Sequence, residues 1–293
     1  MVVVAGEILL DCFPDGTRIG GAPFNVAFHL WHMGVPVRFL SRIGDDADGR
    51  AIRSFLDRTG FPTRDLQVDP VRPTGRVEVE EGEDGPSYRI LPDVAYDATA
   101  PSEAVMETLS GEARMLYFGT LVQRTPSGKA LVDSLGAGLN DAARCFVDVN
   151  LRAGCYTPRT VLDALDSADI LKLNHDEFEE ILSFCRSEGR RIRGVEGLME
   201  AFGIEVAALT MGADGSRIYA GGRVEEAAPE AAGTFRNSVG AGDGFAAVLA
   251  MGWLSGWSPR RIVERATAFA SRICTLEGAV PESADFYEDF TEG

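Results

Sequence analysis

The 293-residue chain is 45% hydrophobic, enough for one large α/β domain or two small ones. Its 45 acids against 28 lysines and arginines leave a formal charge of −17, which repels nucleic acid and anionic lipid and argues against either as a partner. No apolar run reaches the roughly 18–20 residues of a membrane helix, and five widely spaced cysteines without a C-x-x-C pair point to buried free thiols in a reducing cytoplasm.

The first residues, Met1-Val2-Val3-Val4-Ala5-Gly6-Glu7, lack the basic region of a signal peptide and read as a first strand. Further strands are expected at 37–41, Met115–Gly119, 144–149, 170–173 and Val206–Thr210. Amphipathic helical segments alternate with them at 23–33, 46–58, 126–139, 176–185 and 195–202. Alternation of this kind predicts a mainly parallel sheet covered by helices. Residues 74–97 break the rhythm. Residues 76–80 alternate polar and apolar, a Gly-Glu-Asp-Gly-Pro turn follows, and a second run returns through 88–91. The pattern is a β-hairpin with one exposed face, either an ordinary solvent-facing hairpin or a lid over a cleft.

Four segments carry chemistry. Asn237-Ser238-Val239-Gly240-Ala241-Gly242-Asp243-Gly244-Phe245 leads into an apolar run through Trp253. Its glycines permit a tight turn, and the run continues as a buried helix. The N–H groups of Ala241, Gly242 and Asp243 then face outward at a helix N-terminus, where they attract anions and stabilise charge on a transferring phosphoryl group. Asp243 is placed to take a proton from a substrate hydroxyl; the plainer role is to favour the helix dipole. In Gly20-Gly21-Ala22-Pro23-Phe24-Asn25-Val26-Ala27-Phe28, proline starts a helix that ends near Gly34. Asn25, polar among apolar neighbours, needs partners from the protein or from a substrate hydroxyl.

Lys172-Leu173-Asn174-His175-Asp176-Glu177 passes from strand to helix. Asn174 and Glu177 fit a capping arrangement, or a carboxylate held near a metal–phosphate group through water. Residues 209–216 join a strand to a turn that is either a plain hairpin or a nucleotide contact. Other signals fail. Ser127-Gly128-Lys129 looks like the end of a P-loop, but Gln123 stands where a glycine is required. His29 and His32, one helical turn apart, have no evident third ligand and read as packing residues.

Taken together the segments resemble the PfkB, or ribokinase-like, carbohydrate kinase family. They run in order from end to end: Gly20-Gly21-Ala22-Pro23-x-Asn25-Val26-Ala27, Gly44-Asp45-Asp46-x-x-Gly49, the hairpin after Pro73-Thr74-Gly75, Asn150-x-Arg152, Lys172-x-Asn174-x-x-Glu177, Thr210-x-Gly212-x-x-Gly215 and Gly240-Ala241-Gly242-Asp243. Gly6-Glu7-Ile8-Leu9-x-Asp11 and Tyr117-x-Gly119-x-Leu121-x-Gln123-Arg124 bring the likeness nearest to bacterial fructokinases, while 2-keto-3-deoxygluconate kinases share parts of it.

The resemblance implies a three-layer α/β/α domain over residues 1–293 with a central, mainly parallel sheet. A small β-lid at 74–97 is inserted in it, with a contribution near 11–20. It implies ATP and Mg²⁺, with Asp243 as catalytic base and Gly240, Ala241, Gly242 and Asp243 as an anion hole. Asp11, Gly21, Asn25 and Arg152 would face the sugar, Asn174, Thr210, Gly212 and Gly215 the nucleotide, and Glu177 the metal. The partners are then a small sugar and ATP, with a homodimer through the lid. Asn237 stands where the family usually has an aspartate, so a monovalent cation lacks its anionic ligand. The rival readings are a kinase for 2-keto-3-deoxygluconate, ribose or a nucleoside, served by Arg152 or Arg124 if the substrate is an acid, and a non-catalytic sugar-binding regulator.

Overall fold

Strands buried along their whole length have no face for water and need helices on both sides. Val2–Ala5 and Met115–Gly119 are strands of this kind, and successive residues serve opposite cores: Val2 and Val4 pack on one side, Val3 and Ala5 on the other. The computed structural model describes residues 1–14, 16–82, 85–229, 233–281 and 283–291, with 79–82, 85–88, 284, 289 and 291 as backbone alone. In chain order its strands are β1 (Val2–Ala5), β2 (Leu9–Phe13), β3 (Gly16–Gly20), β4 (Val37–Gly44), β5 (Leu66–Asp69), β6 (Gly75–Gly82), β7 (Gly85–Ile90), β8 (Met115–Gly119), β9 (Arg144–Asp148), β10 (Ile170–Asn174), β11 (Val206–Thr210), β12 (Ser216–Ala220) and β13 (Arg223–Ala227).

The large sheet has the order β13-β12-β11-β10-β9-β8-β1-β4-β5, antiparallel only at β11–β12 and β12–β13. One face carries the helices Ala22–His32, Ala47–Thr59, Ala241–Leu254 and Pro259–Ile273; the other carries Glu103–Gly111, Pro126–Ala137, Pro158–Asp166, His175–Ser187 and Gly194–Phe202. The fold is thus the expected three-layer α/β/α arrangement. The chain starts in the middle of the sheet, winds out to β5 and returns on the other side of β1 at β8. Such a reversal of winding leaves a crevice at the carboxyl ends of the strands, where open α/β sheets bind ligands.

A second sheet of four strands, β3-β2-β6-β7, stands apart with its own small core of Leu9, Val77, Val94 and Tyr96. It combines the expected hairpin with the 9–20 segment. The hairpin's strands end at Ile90, and a short 3₁₀ turn, Ala95–Ala98, takes residues that the sequence reading had placed in it. Its tip, Glu83 and Asp84, lies outside the described residues.

Strands β5, β12 and β13 and three helices, Glu103–Gly111, Pro158–Asp166 and Pro259–Ile273, went unanticipated. Only Cys145 and Cys185 are buried thiols; Cys12, Cys155 and Cys274 are partly exposed, which corrects the expectation for those three. His29 packs as expected, with Nδ1 2.8 Å from the Tyr287 hydroxyl and Nε2 3.1 Å from the Ala279 carbonyl. Burial pushes its pKa down to about 3. Among the described residues no helix is long and apolar enough to cross a membrane.

Candidate active site

Every one of the thirteen site residues named from the sequence lines a single cavity of about 1280 Å³ between the two sheets. The small sheet forms one wall through Leu9, Asp11, Phe13, Val77 and Ile90, so the apolar side of the hairpin that the described side chains show is turned to the cavity. The opposite wall is made by strand ends of the large sheet and by two glycine turns.

The Gly240 turn is built so that only glycine fits. Its φ is +78°, and a Cβ there would lie 2.6 Å from the Ala279 Cα. The helix that follows, Ala241–Leu254, is buried from Gly244 to Gly252, which fixes its N-terminus at the cavity. The Ala241 N–H donates to the Ser238 carbonyl at 3.2 Å and closes the turn. The amides of Gly242 and Asp243 are then the first-turn donors for which helix geometry supplies no intrahelical acceptor.

Asp243 projects from that turn, and its Oδ2 accepts a 2.7 Å hydrogen bond from Asn25 Nδ2. Burial raises its pKa to about 6. The Asn25 bond opposes the rise, the charge of Asp148 adds to it, and Lys172 and Arg152 oppose it. Beneath it, Lys172 Nζ lies 2.9 and 3.1 Å from the two oxygens of Asp148, and the Tyr117 hydroxyl donates to Asp148 at 3.0 Å. Desolvation pulls the Lys172 pKa down, but Asp148 and Glu177 outweigh it, so the ammonium stays charged under the anion turn.

Asp11 lies on β2 opposite Arg18 on β3, and its carboxylate packs over Gly20, where a Cβ would come within 2.2 Å of Oδ2. Burial raises its pKa to about 6 against the pull of Arg152. Arg152 is exposed at the cavity, one residue beyond Leu151 and two beyond Asn150, whose φ of +38° is rare for a non-glycine residue. Arg124, the other cation considered for an acid substrate, is withdrawn. It makes a two-pronged bond to Asp97 at 2.8 and 2.7 Å and donates to the Leu91 carbonyl at 2.8 Å.

At the far end, Asn174 and Glu177 form a reciprocal cap. Asn174 Oδ1 accepts from the Glu177 N–H at 2.9 Å, and Glu177 Oε2 accepts from the Asn174 N–H at 2.8 Å. Glu177 Oε1 also accepts from the Leu151 N–H at 2.9 Å. Both oxygens are thus engaged by amides, and their remaining lone pairs suit a hydrated ion carried on nucleotide phosphates more than direct coordination. Among the described residues no group of three or more His, Cys, Asp or Glu is arranged to hold a metal by itself. Thr210, Gly212 and Gly215 follow at the end of β11, where a Cβ on Gly215 would strike the Ala227 carbonyl at 2.1 Å.

At position 237 an amide stands where the resemblance places an anionic ligand for a monovalent cation. Asn237 Nδ2 donates to the Leu276 carbonyl at 3.0 Å and to the Glu277 carbonyl at 3.5 Å, while Oδ1 accepts from the Val239 N–H at 2.9 Å. A neutral donor thus faces the two carbonyls beside the anion turn where a charge would otherwise stand.

The sequence reading assigned no role to Glu7, Asp148 or Lys172, although all three are buried and Glu7 and Lys172 line the cavity. For Lys172 the signal was a cation between two strand leucines. The contributions of Ala270, Ser271 and Cys274 were missed with their helix.

The pattern of the pfkB family carbohydrate kinases matches residues 9–285. The chain belongs to that family. This carbohydrate kinase is 27% identical to a fructokinase of Klebsiella pneumoniae over 96% of its own length and 92% of the relative's. It is 24% identical to a 5-dehydro-2-deoxygluconokinase of Bacillus licheniformis, covering 92% of its own length and 86% of the relative's. The fructokinase of Xylella fastidiosa with bound ATP shares the fold, with a TM-score of 0.82, 17% identity, and coverage of 95% and 93% of the two chains.

Proposed function

We propose that this kinase transfers the γ-phosphoryl group of MgATP to a primary hydroxyl of a neutral sugar, with fructose as the first candidate. The observation that carries the reading is Asp243: a carboxylate at the positive end of a buried helix, beside unpaired first-turn amides, in one cavity with Asp11, Asn25 and Arg152. With a pKa of about 6, Asp243 is ionised at neutral pH and still close enough to it to accept a proton well. It takes the hydroxyl proton, the oxygen bonds to the γ-phosphorus as the bond to the β–γ bridging oxygen breaks and ADP leaves, and the Gly242 and Asp243 amides with Lys172 meet the charge on the phosphoryl oxygens. Phosphoryl transfer asks mainly for positioning and electrostatic support, and both are present.

Thr210, Gly212, Gly215 and Asn174 take the nucleotide. Asn174 and Glu177 would hold Mg²⁺ brought in with the nucleotide, where it would offset phosphate charge. A neutral sugar is favoured because Asp11 and Asp243 already compete for Arg152 at the cavity, so a substrate carboxylate would add an acid to that wall. The fructokinase relative supports the same substrate. A homodimer through the edges β3 and β7 of the small sheet, and a cytoplasmic location where ATP is plentiful, belong to this reading.

The test is ADP release with MgATP and a panel of D-fructose, 2-keto-3-deoxygluconate, ribose and adenosine. Fructose is expected to give the highest kcat/KM. A preference for the sugar acid would move the substrate assignment, and sugar binding without ADP release would replace catalysis with a regulatory role.

A further inference from the structure

Glu7 follows β1 at the carboxyl end of the strand and is 3% exposed, yet it lines the sugar side of the cavity. Its backbone is pinned. A Cβ on Gly21 would lie 2.5 Å from the Glu7 carbonyl oxygen, and one on Gly6 would meet the Pro23 ring at 2.4 Å. The side chain therefore springs from a fixed point against the helix that carries Asn25. Glu7 Oε2 is buried and has no hydrogen-bond partner among the described residues, and the same holds for Asn25 Oδ1. A buried polar atom left without a partner costs stability, roughly 1–3 kcal/mol, and asks for a reason.

The inventory of the wall supplies one. Asp11, Asp243 and Asn25 Oδ1 are acceptors. One Asn25 Nδ2 hydrogen goes to Asp243 and Lys172 is engaged by Asp148, which leaves the second Asn25 hydrogen, Asn150 and Arg152 as the side-chain donors lining this part of the cavity among the described residues. A sugar hydroxyl brings an acceptor with every donor, so a buried oxygen without a partner on this acceptor-rich wall has a sugar oxygen to serve if it carries a proton. We propose that Glu7 is a sugar-positioning residue, presenting Oε2–H as a donor to an oxygen of the acceptor sugar. This rests on the sugar-kinase reading above and adds to it the group that selects and holds the sugar's orientation.

The charges around Glu7 agree. Burial raises its pKa to about 7. Its own backbone N–H, Arg152 and Arg124 pull the other way, and Asp243 adds to the rise. Tyr96 and Tyr117, the other titratable groups that sense it, have pKa values raised further by burial and stay neutral. A sugar seated on Glu7 removes more water and favours the protonated acid further.

The experiment is steady-state kinetics with D-fructose and MgATP between about pH 6 and 8.5, on wild type, Glu7→Gln and Glu7→Ala. In the wild type the sugar KM is expected to rise above about pH 7, by up to about tenfold per unit, as the donor ionises. Glu7→Gln keeps a donor that cannot ionise. Its sugar KM is expected within about threefold of wild type at pH 6 and flat to 8.5, with the acid limb set by Asp243 unchanged. Glu7→Ala should raise the sugar KM about 10–100-fold and leave the ATP KM within about twofold.

A Glu7→Gln profile parallel to wild type, or an unchanged sugar KM in Glu7→Ala, overturns the inference. If Glu7→Ala does not fold, Glu7→Gln decides alone. If another sugar of the panel is the substrate, the series is read with that sugar. If wild type phosphorylates none, the kinase reading falls and takes the inference with it.

Discussion

Asp65 and Asp97 are as deeply buried as the acids of the cavity, but each is spent on an arginine. Asp65 takes Arg38 in a fork at 2.8 and 2.7 Å, and Arg38 goes on to the Ala104 carbonyl and the Thr108 hydroxyl. Asp97 does the same with Arg124 at the root of the small sheet. Glu7, Asp11 and Asp243 have no such fork. Burial outweighs their neighbours and all three pKa values rise. The first set holds the layers together and has nothing left to offer a ligand. The second set is costly to the empty protein and becomes satisfied when a polar ligand arrives. Burial alone does not mark function; unspent hydrogen-bonding capacity does.

The comparison can be broken most forcefully at Asp243. Asp243→Asn is expected to lower turnover about 10²–10⁴-fold while nucleotide affinity, read by calorimetry, changes little. The same variant should be more stable than wild type at alkaline pH. The folded-state pKa is about 6 against 3.8 unfolded, so ionisation of Asp243 costs stability as pH rises through that window. The melting-temperature gain of Asp243→Asn should grow from about pH 4 to 6 and level off above. A gain that instead shrinks with rising pH would reverse the assignment.

Asp65→Ala tests the opposite set. It leaves the Arg38 guanidinium buried without its anion and is expected to cost about 3–5 kcal/mol in urea unfolding, with turnover per folded molecule unchanged. A kinetic defect without a stability loss would erase the distinction. The smallest effect is expected at Asn237. Wild type should run within about twofold at the same rate in potassium and in tetramethylammonium salts. Asn237→Asp exchanges the amide donor for a charge and should make potassium, read also as a rise in melting temperature, measurably stimulating.

How far the sequence alone reached follows from the range of each interaction. Strands made of unbroken apolar runs, such as Val2–Ala5, Met115–Gly119 and Val206–Thr210, were legible to the residue. The edge strand Arg223–Ala227, with glutamates at 225 and 226 and no buried residue, carries no such signal. The Pro259–Ile273 helix was readable from Ser258 and Pro259 at its start, and its omission hid the Ala270 to Cys274 side of the cavity. Local chemistry was equally plain: Asn174 and Glu177 cap each other as their spacing requires. Pairings between distant segments were not. Asp148 and Lys172 meet because β9 and β10 lie side by side, and Asn25 reaches Asp243 across 218 residues of chain. The open valence of Glu7 could be seen only when its surroundings were in place.

His29 ties the sugar-side helix to the C-terminal part of the chain. One turn beyond Asn25 on the same helix, it grips the Ala279 carbonyl and the Tyr287 hydroxyl, and Ala279 abuts Gly240. Tyr287 and Phe290 in turn press on Phe269. Ala279, Tyr287 and Phe290 therefore brace the helix and turn behind the reacting carboxylate. A purification handle, fluorophore or crosslink placed at Tyr287 or Phe290 is expected to disturb the turn that carries Asp243, whereas the outer edge at Arg223–Ala227 offers a quieter place to attach one.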